Sequence, residues 1–358
     1  MTNPVITRMD QVTPAWLTGV LSRSGALTRG AVAGFDAAPG KGHWSANVLL
    51  NLRYTAGSQG MLPRRLFLKI VDAQMNGESF DTSEVNYYAR DYAGVNGVPL
   101  VRCYDTAFSV ELQRYHILLD DLSETHVEAA GKAPTLEYGF ALSEGLAAMH
   151  ARWWGTKRFS ELGAGIPTAL QIQRFIGKSE AGAGQILERF SDELEPSWPD
   201  AIRTLFARHP AALIARTRED QGFTIVHGDA GHHNILVPRV GDRPIYIIDR
   251  QPFDWALTTW LGVYDLVYVM VLDWETDERR RFEMAVLKRY HDCLVMNGVD
   301  GYPWEQLLED YRLCVPMGVY VIAEYFSADI AEPWINTKLL MLRRSLTACD
   351  DWHCSGLW

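Results

Sequence analysis

The chain has 358 residues, 47% of them hydrophobic and 22% charged, and a formal net charge of −10. The composition is ordinary for a globular protein, and the length predicts two domains or lobes. The negative charge argues against nucleic acid as the main partner, because phosphate contacts need a basic surface. The five cysteines are odd in number and irregularly spaced. This pattern argues against a disulfide framework or a zinc site and favours a cytoplasmic location.

Neither a secretory signal nor a membrane span is expected. Residues 1–19 lack an apolar run after a basic start. The most apolar later stretch, Cys314 to Ala323, is interrupted by Pro316 and Gly318 and soon followed by Glu324. It is too short to cross a bilayer, so we expect a buried helix there and no membrane partner. The oligomeric state stays open, since no heptad or interface stripe is present.

The first third of the chain predicts a β-rich lobe. Thr13 before Pro14 is typical of a helix start, and the helix is predicted to run to Ser24. Five runs in this region are predicted to be strands, with Gly- and Pro-containing turns between the first three and one helix inserted after the third; the second run alternates between apolar and polar residues. The predicted strands are Ala31–Ala37, Ser45–Tyr54, Arg65–Val71, Pro99–Tyr104 and Phe108–Leu119, and the inserted helix is Thr82–Tyr92.

The remainder is predicted to be mainly helical, because apolar residues recur at helical spacing. We expect helices over Thr135–Trp154, Gln173–Leu194, Pro199–Arg216 and most of the chain after Gly262, with short β-like runs at Phe223–His227, Ile235–Pro238 and Pro244–Ile248. The fold class is therefore α+β, with a β-rich lobe over residues 1–119 and a helical lobe over residues 120–358.

One segment carries the strongest chemical signal. Asp229 follows a β-like run, Asn234 lies five residues later, and a further apolar run delivers Asp249. In phosphoryl transfer a carboxylate orients the attacking hydroxyl and accepts its proton, while amide and carboxylate oxygens can hold Mg²⁺ against the ATP phosphates. Asp and Asn are also common in turns for local hydrogen bonding. The combination of all three residues favours the functional interpretation.

An upstream lysine supports the same chemistry. Lys69 lies inside an apolar strand, where an ammonium is costly to bury unless it is paired. The alternative is an edge-strand lysine that faces solvent. We expect Glu84, in the following helix, to be its partner. The loop with Gly40, Gly42 and Ser45 could cover phosphates with its backbone amides, or it could be a plain hairpin turn.

With these residues assembled, the chain resembles the aminoglycoside phosphotransferase and choline kinase-like family on the protein-kinase-like fold. Within that family it looks closest to the ecdysteroid-kinase-like, CHK-type branch. The stretches that carry this resemblance are Phe80–Tyr88, Ile117–Leu122 and Leu146–Trp154. The resemblance implies a small β-rich N-lobe, a larger helical C-lobe, and ATP-dependent transfer of the γ-phosphate to a hydroxyl of a small molecule.

The resemblance also implies how the nucleotide is held. Lys69 would contact the α- and β-phosphates of ATP, and Glu84 would hold Lys69 in place. Backbone groups of Asp120, Asp121 and Leu122 would meet the adenine.

For the reacting groups, the resemblance implies Asp229 as the catalytic carboxylate and Asn234 and Asp249 as Mg²⁺ ligands. His227 and Asp265 would support the loop that carries Asp229.

Several positions leave alternatives open. Arg250 stands where the family commonly has an aromatic residue; it could reach a phosphate or an anionic substrate, or form a supporting salt bridge. His232 could contact substrate or simply fill the loop. Asp254 and Asp273 could meet a substrate amine, although solvated surface carboxylates are the default.

Two other functions compete with the kinase hypothesis. The first is a nucleotide-binding protein without transfer activity, suggested by the unusual Asp249-Arg250-Gln251 stretch. The second is a protein kinase, which the absence of HRD, DFG and APE signatures disfavours. The acceptor itself stays open among amine alcohols, sugars, antibiotics and steroid-like alcohols.

Overall fold

The computed structural model describes residues 4–40, 42, 44–75, 77–95, 97–162, 164–327 and 330–357. The chain forms two compact units. The first unit comprises Met1–Asn96, Leu100–Val127 and Leu236–Asp254, and the second comprises Gly97–Pro99, Glu128–Ile235 and Trp255–Trp358. The lobe boundary at residue 119 stays a prediction.

The strands are, in chain order, β1 (Leu27–Arg29), β2 (Val32–Pro39), β3 (Ala46–Tyr54), β4 (Gln59–Gly60), β5 (Arg65–Asp72), β6 (Gln74–Met75), β7 (Glu78–Ser79), β8 (Cys103–Ser109), β9 (Arg114–Asp120), β10 (His126–Glu128), β11 (Phe223–Ile225), β12 (Ile235–Pro238), β13 (Tyr246–Ile247) and β14 (Thr259–Leu261). The α-helices are α1 (Pro14–Arg23), α2 (Ser83–Asn86), α3 (Leu136–Arg152), α4 (Thr156–Phe159), α5 (Ala169–Arg189), α6 (Trp198–Arg216), α7 (Tyr264–Val267), α8 (Thr276–Met296), α9 (Trp304–Cys314), α10 (Met317–Tyr325) and α11 (Glu332–Asp351). Short π-helical turns follow α2 at Tyr87–Asp91 and α7 at Tyr268–Asp273.

The first unit is built on a five-stranded antiparallel sheet in the order β2-β3-β5-β9-β8. Side chains alternate between the two faces of a strand, so Leu66 and Leu68 of β5 are buried against α1 while Lys69 lies on the opposite face. The predicted helix start is confirmed, because Thr13 accepts a hydrogen bond from the Trp16 N–H at 3.1 Å. The sheet thus places Lys69 at its centre rather than at an edge.

The predicted boundaries of two strands and one helix in this unit are wrong. The strand expected over Pro99–Tyr104 begins at Cys103 and runs on to Ser109, and the next strand begins only at Arg114. The turn between them contains Gln113 with φ of 47°, inside what looked like one continuous run. The inserted helix is also shorter than expected, since α2 changes to a π-helical turn at Tyr87.

The second unit is mainly helical, and close helix contacts depend on small residues. Ser143 of α3 donates a hydrogen bond to the Val286 carbonyl of α8 at 2.9 Å. Gly182 of α5 lies so close to α10 that an added Cβ would overlap the main-chain oxygen of Ala323. The short strands β11 and β14 pair in antiparallel register. This last pair was not predicted at β14.

The apolar stretch Cys314–Ala323 is buried, as predicted, but it is not one helix. Helix α9 ends at Cys314 and α10 begins at Met317, with Pro316 between them. Proline cannot donate the backbone hydrogen bond that a continuous helix needs. Among the described residues, no helix combines the length and apolar character that crossing a bilayer requires. All five cysteines are thiols, which confirms that no disulfide framework is present.

Candidate active site

In the first unit, Lys69 pairs with Glu84 as predicted. Its ammonium lies 2.6 Å from Glu84 Oε1 and 3.1 Å from Asp249 Oδ1. The Glu84 side chain is only 1% exposed, and its other oxygen accepts a hydrogen bond from the Tyr115 hydroxyl at 2.6 Å. Because β5 is central, the alternative of a solvent-facing edge lysine is wrong. The role of the pair in nucleotide binding stays a prediction.

Electrostatics keep this lysine charged. Burial alone lowers the pKa of Lys69, but the carboxylates of Asp249 and Glu84 outweigh burial and leave its pKa above the usual value. Burial raises the pKa of Glu84, and the Lys69 ammonium offsets part of that effect. The arrangement is an ammonium shared by two carboxylates, one deeply buried and one near solvent.

Asp249 occupies a strained backbone position next to this pair. Its φ is 58°, in the left-handed region that costs a non-glycine residue on the order of 1 kcal/mol, although Asp tolerates it better than most. Its side chain remains 45% exposed. Strain of this kind persists only where surrounding contacts fix the backbone.

Those contacts come from the segment before Glu84. The Asp81 N–H donates to the Pro252 carbonyl at 2.8 Å, and the Asp254 N–H donates to the Ser79 carbonyl at 3.0 Å. Phe80 forms an antiparallel bridge with Phe253. The segment after Asp249 is therefore paired through its backbone with the segment before Glu84. This pairing brings together two carboxylates that are far apart in sequence.

Arg250 supports this arrangement from the interior. Its side chain is 4% exposed, lies 3.5 Å from Asp91 Oδ2 and donates to the Ser83 carbonyl at 3.2 Å. Of the two alternatives, these contacts fit the supporting salt bridge. Asp254 is exposed, and its possible contact with substrate stays a prediction.

The loop between β2 and β3 is held by Asn47. The Gly40 N–H donates to the Asn47 carbonyl at 2.8 Å, and the Ser45 hydroxyl donates to its side-chain oxygen at 2.8 Å. A Cβ on Gly42 would lie 2.5 Å from Asn47 Nδ2, so a side chain there would force a shift. Lys41 and His43 of this loop lie outside the described residues. Phosphate contact by the loop stays a prediction.

The stretch expected to meet adenine already makes hydrogen bonds of its own. The Asp120 N–H donates to the Arg102 carbonyl at 3.0 Å, and its carboxylate accepts from the Tyr104 hydroxyl at 2.6 Å. The Asp121 carboxylate accepts from Arg65 Nε at 2.8 Å. The Leu122 carbonyl accepts from two backbone N–H groups downstream. These bonds fix the stretch but do not test adenine contact.

In the second unit, a buried carboxylate holds the loop that carries Asp229. Asp265 is fully buried and accepts from the His227 N–H at 2.7 Å, the Gly228 N–H at 2.9 Å and the His150 ring at 3.1 Å. Burial raises the pKa of Asp265, but the hydrogen bond and charge of His150 and its other donors outweigh burial and hold the pKa below its usual value. This geometry matches the supporting position expected of Asp265.

Asp229 itself is fixed from three directions. Its N–H donates to His227 Nδ1 at 3.3 Å. The Asn234 amide donates to its main-chain oxygen at 2.8 Å and to its carboxylate at 3.0 Å. Tyr268 adds a hydrogen bond from its hydroxyl to the Asp229 carboxylate. The carboxylate is thus oriented before any ligand arrives.

His232 lies beside Asp273, whose carboxylate is buried. Its N–H donates to Asp273 Oδ2 at 2.7 Å. Burial, together with His233 and nearby cations, lowers the pKa of His232 to about 4, so the ring is neutral at pH 7. Burial raises the pKa of Asp273 to about 7. The default of a solvated surface carboxylate is therefore wrong for Asp273.

The donor chemistry of Asn234 and Asp249 fits Mg²⁺. Because both N–H groups of the Asn234 amide bond to Asp229, its carbonyl oxygen is the atom left to act as a ligand. Asp249 offers a half-exposed carboxylate. Magnesium prefers oxygen ligands and keeps several waters, so few protein ligands suffice. In the described part of the chain, no group of three or more His, Cys, Asp or Glu side chains is arranged to hold a metal.

Comparison with known proteins finds similarity in structure but not in sequence. No family model and no curated protein sequence matches the chain. The solved structure of ethanolamine kinase from Plasmodium vivax is similar over 94% of this chain and 85% of that chain, with a TM-score of 0.55 and 12% identity. The GDP complex of aminoglycoside 2′-phosphotransferase-IIIa is similar over 94% of this chain and 100% of that chain, with a TM-score of 0.53 and 14% identity.

A glucosamine kinase is similar as well, over 95% of this chain and 98% of that chain, with a TM-score of 0.51 and 10% identity. At this level of identity the likeness concerns the fold. The predicted fold class is confirmed, and placement in the ecdysteroid-kinase-like branch stays a prediction. The chain has the two-part, protein-kinase-like α+β fold found in these small-molecule kinases.

Proposed function

We propose that the protein is a member of the aminoglycoside phosphotransferase and choline kinase-like family that transfers the γ-phosphate of ATP to a hydroxyl of a small molecule. The observation that carries the proposal is the Lys69 ammonium shared between the buried Glu84 and the half-exposed Asp249. A structural ion pair has no need of a second, strained carboxylate at the surface. A site that receives phosphates and a metal does.

The nucleotide half of the reaction would use the first unit. Lys69 stays protonated and can stabilise negative charge on the phosphates. Mg²⁺, when bound, would neutralise charge on the phosphates, and Asp249 and Asn234 supply the oxygen donors that suit it.

The acceptor half would use Asp229. Its carboxylate accepts the proton of the attacking hydroxyl as the new O–P bond forms. The bond from the γ-phosphorus to the β,γ-bridging oxygen breaks, and its electron pair leaves with ADP. Asp229 then releases the proton to water. Asn234 and Tyr268 hold the carboxylate in one orientation throughout.

The alternative of a nucleotide-binding protein without transfer activity loses its main argument. That argument rested on Arg250, which makes a buried pair with Asp91 and so is drawn into the interior beside α2. Asp249 keeps its exposure. The amine-bearing alcohols named for the similar structures, such as kanamycin, concern those proteins and do not fix the acceptor here.

Turnover of ATP and GTP should be measured against a panel of hydroxylated metabolites, with and without Mg²⁺. We expect nucleoside triphosphate consumption with a subset of acceptors, and losses of several orders of magnitude in Asp229→Asn and Asp249→Asn. Asp242→Asn, an exposed carboxylate between β12 and β13, is the control and should keep full activity. Full phosphotransfer by Asp229→Asn would rule out its assigned role. Nucleotide binding without turnover on any acceptor would favour the alternative.

A further inference from the structure

Lys338 of α11 occupies an unusual environment for a lysine. Its ammonium lies 3.4 Å from the centroid of the Tyr325 ring, within the range of a cation–π contact. The residue is half-buried, and burial lowers the pKa of Lys338 although the carboxylates of Asp229, Asp273 and Glu324 favour its charged form. Across the described ranges, no carboxylate lies within ion-pair distance of this ammonium. A desolvated cation without a counter-ion is costly, which suggests a ligand.

A chain of hydroxyl groups links this lysine to Asp229. The Tyr268 hydroxyl hydrogen-bonds the Asp229 carboxylate, and the Tyr325 hydroxyl hydrogen-bonds Tyr268. Tyr268 is buried, whereas Tyr325 keeps 42% of its surface exposed. The half-buried lysine and the partly exposed ring thus lie at the outer end of a hydrogen-bonded chain that leads to Asp229.

Three carboxylates, those of Asp229, Asp273 and Glu324, act on Lys338, and burial reduces the negative charge of Asp273. With its pKa near 7, Asp273 carries a proton for much of the time at neutral pH. Arg344 is already committed to Glu275 and to main-chain carbonyl groups. Lys338 forms no such ion pair within the part of the chain that the structure describes, so its ammonium can meet a ligand. An amine would be repelled by it, and an anionic oxygen group would be attracted.

We propose that Lys338 and Tyr325 form an anion-recognising subsite beside Asp229, which accepts a small alcohol that bears a carboxylate or phosphate group. The subsite rests on the proposed function for its identity as an acceptor site. The same anionic chemistry is present in the phosphoryl group being transferred, and the test below separates these two sources.

The first measurement is binding without nucleotide. Calorimetry on the full chain would compare matched hydroxylated compounds that differ in one group: glycerol 3-phosphate and glycerate, neutral glycerol, ethanolamine, and further sets of the same design on sugar and aromatic scaffolds. Inorganic phosphate serves as the minimal anion. We expect anionic members to bind better than neutral or amine members, by at least about 10-fold as befits a charge-assisted contact.

Variants then assign the preference to this lysine. Lys338→Met keeps an unbranched apolar stem that packs on an aromatic ring, and it should abolish the preference without a loss of thermal stability. Lys338→Arg should restore most of it. The matched control is Lys288→Met. Lys288 lies on α8 with its ammonium 5.9 Å from the centroid of the Trp304 ring, and this variant should bind the compounds as the parent does. A preference for amine or neutral members, or no anion binding that depends on Lys338, overturns the proposal.

Turnover distinguishes the two sources of anion. With an anionic acceptor, Lys338→Met should raise the KM for that acceptor at least about 10-fold and leave the KM for ATP unchanged. A raised KM for ATP, or an equal fall in kcat on every acceptor, would mean that the lysine faces the transferred phosphoryl group instead. Lys338-dependent anion binding without any turnover would sink the kinase function and keep the subsite. Turnover on amines that Lys338→Met does not affect would keep the kinase function and overturn the anion subsite.

Discussion

The Asn234 amide donates one hydrogen bond to the main-chain oxygen of Asp229 at 2.8 Å and a second to its carboxylate at 3.0 Å. Both N–H groups of the amide are thereby used. The pair behaves as one element, in which the amide fixes the carboxylate and the carboxylate fixes the direction of the amide oxygen. A change at Asn234 should therefore alter the titration of Asp229 as well as any metal contact.

The substitution Asn234→Asp tests this coupling. It is nearly isosteric, but it replaces two donors with a carboxylate next to Asp229. Two adjacent carboxylates cannot both ionise easily, so the acid limb of the pH profile of kcat/KM should move upward by about one unit or more. Turnover at neutral pH should fall. Asn51→Asp, at an exposed position of β3, is the control. A lower rate with an unmoved profile would mean that Asn234 acts on the metal alone.

The Lys69–Glu84 pair predicts a strongly non-additive effect on stability. Among the described residues, Lys69→Met leaves the buried Glu84 carboxylate with the Tyr115 hydroxyl as its one close partner, and breaking a buried pair in this way costs about 3–5 kcal/mol. Adding Glu84→Gln removes the stranded charge, so the double variant should be more stable than Lys69→Met alone. Urea unfolding of the four proteins measures the coupling energy.

The pH gives an internal check on that cycle. The pKa of Glu84 is raised by burial, so the stranded carboxylate in Lys69→Met can take up a proton as the pH falls. The deficit of Lys69→Met relative to the parent should shrink toward pH 5. Simple additivity of the two substitutions at every pH would show that the carboxylate is better solvated than its 1% exposure indicates.

Two arginines contact the Asp91 carboxylate, and Arg250 should contribute more to stability than Arg90. Arg250 and Asp91 are both almost fully buried, whereas Arg90, which also contacts Asp91, has a side chain 47% exposed. Arg250→Met should cost about 2–4 kcal/mol and weaken nucleotide binding, because its guanidinium also holds the Ser83 carbonyl beside Glu84. Arg90→Met, the matched control, should cost less than about 1 kcal/mol. Thermal unfolding and ADP titration read both effects.

The sequence predicted those parts of the site in which a residue could not be buried without a partner. A lysine in an apolar strand demands a buried partner, and this requirement led to Glu84. The spacing of Asp229 and Asn234 predicted that these two residues lie together, as they do in the second unit. The place of Asp249 beside them stays a prediction. Alternation likewise predicted the buried face of β3, because successive side chains of a strand point to opposite faces.

The missed residues lie where the local pattern carries no such demand. Tyr268 lies inside a long apolar run that the sequence describes only as helical. Asp273 ends that run, and the sequence names it as a possible substrate contact but not as a buried carboxylate. The run is in fact π-helical from Tyr268 to Asp273, which changes the faces on which side chains emerge. Tyr325 of α10 and Lys338 of α11 come close enough to Asp229 to feel its charge. Neither residue pairs with anything close in sequence that could have marked it.

Replacing Asp273 with a neutral residue should stabilise the fold by an amount that depends on pH. Its folded pKa of about 7 lies above the unfolded value of about 3.9. The folded state therefore holds an extra proton, and the stability contributed by this group is complete below about pH 4 and is lost as the pH rises through about 7. Asp273→Asn keeps an acceptor for the His232 N–H and removes the titration. The variant should gain on the parent as the pH rises, by up to about 4 kcal/mol above pH 7.

Urea unfolding at pH 5 and pH 8 measures that difference. Asp242→Asn, an exposed carboxylate, should show no change between the two values. If Asp273→Asn is destabilising by the same amount at both pH values, the carboxylate is ionised in the fold and its hydrogen bonds outweigh its burial.

Two glycines of α5 separate helix propensity from helix contact. Gly182 faces α10 so closely that a methyl group would overlap the Ala323 carbonyl, whereas Gly184 is exposed and an added Cβ there meets nothing within 4 Å. Gly184→Ala should stabilise the protein by about 0.5–1 kcal/mol through propensity alone. Gly182→Ala gains the same propensity but must push α10 away, so it should destabilise by about 1–3 kcal/mol or more. Because Tyr325 ends α10, Gly182→Ala should also weaken anion binding at Lys338. Unfolding curves of both variants measure the effect on stability, and phosphate titrations measure the effect on anion binding. Equal stability of the two variants would mean that α5 and α10 can move apart at little cost.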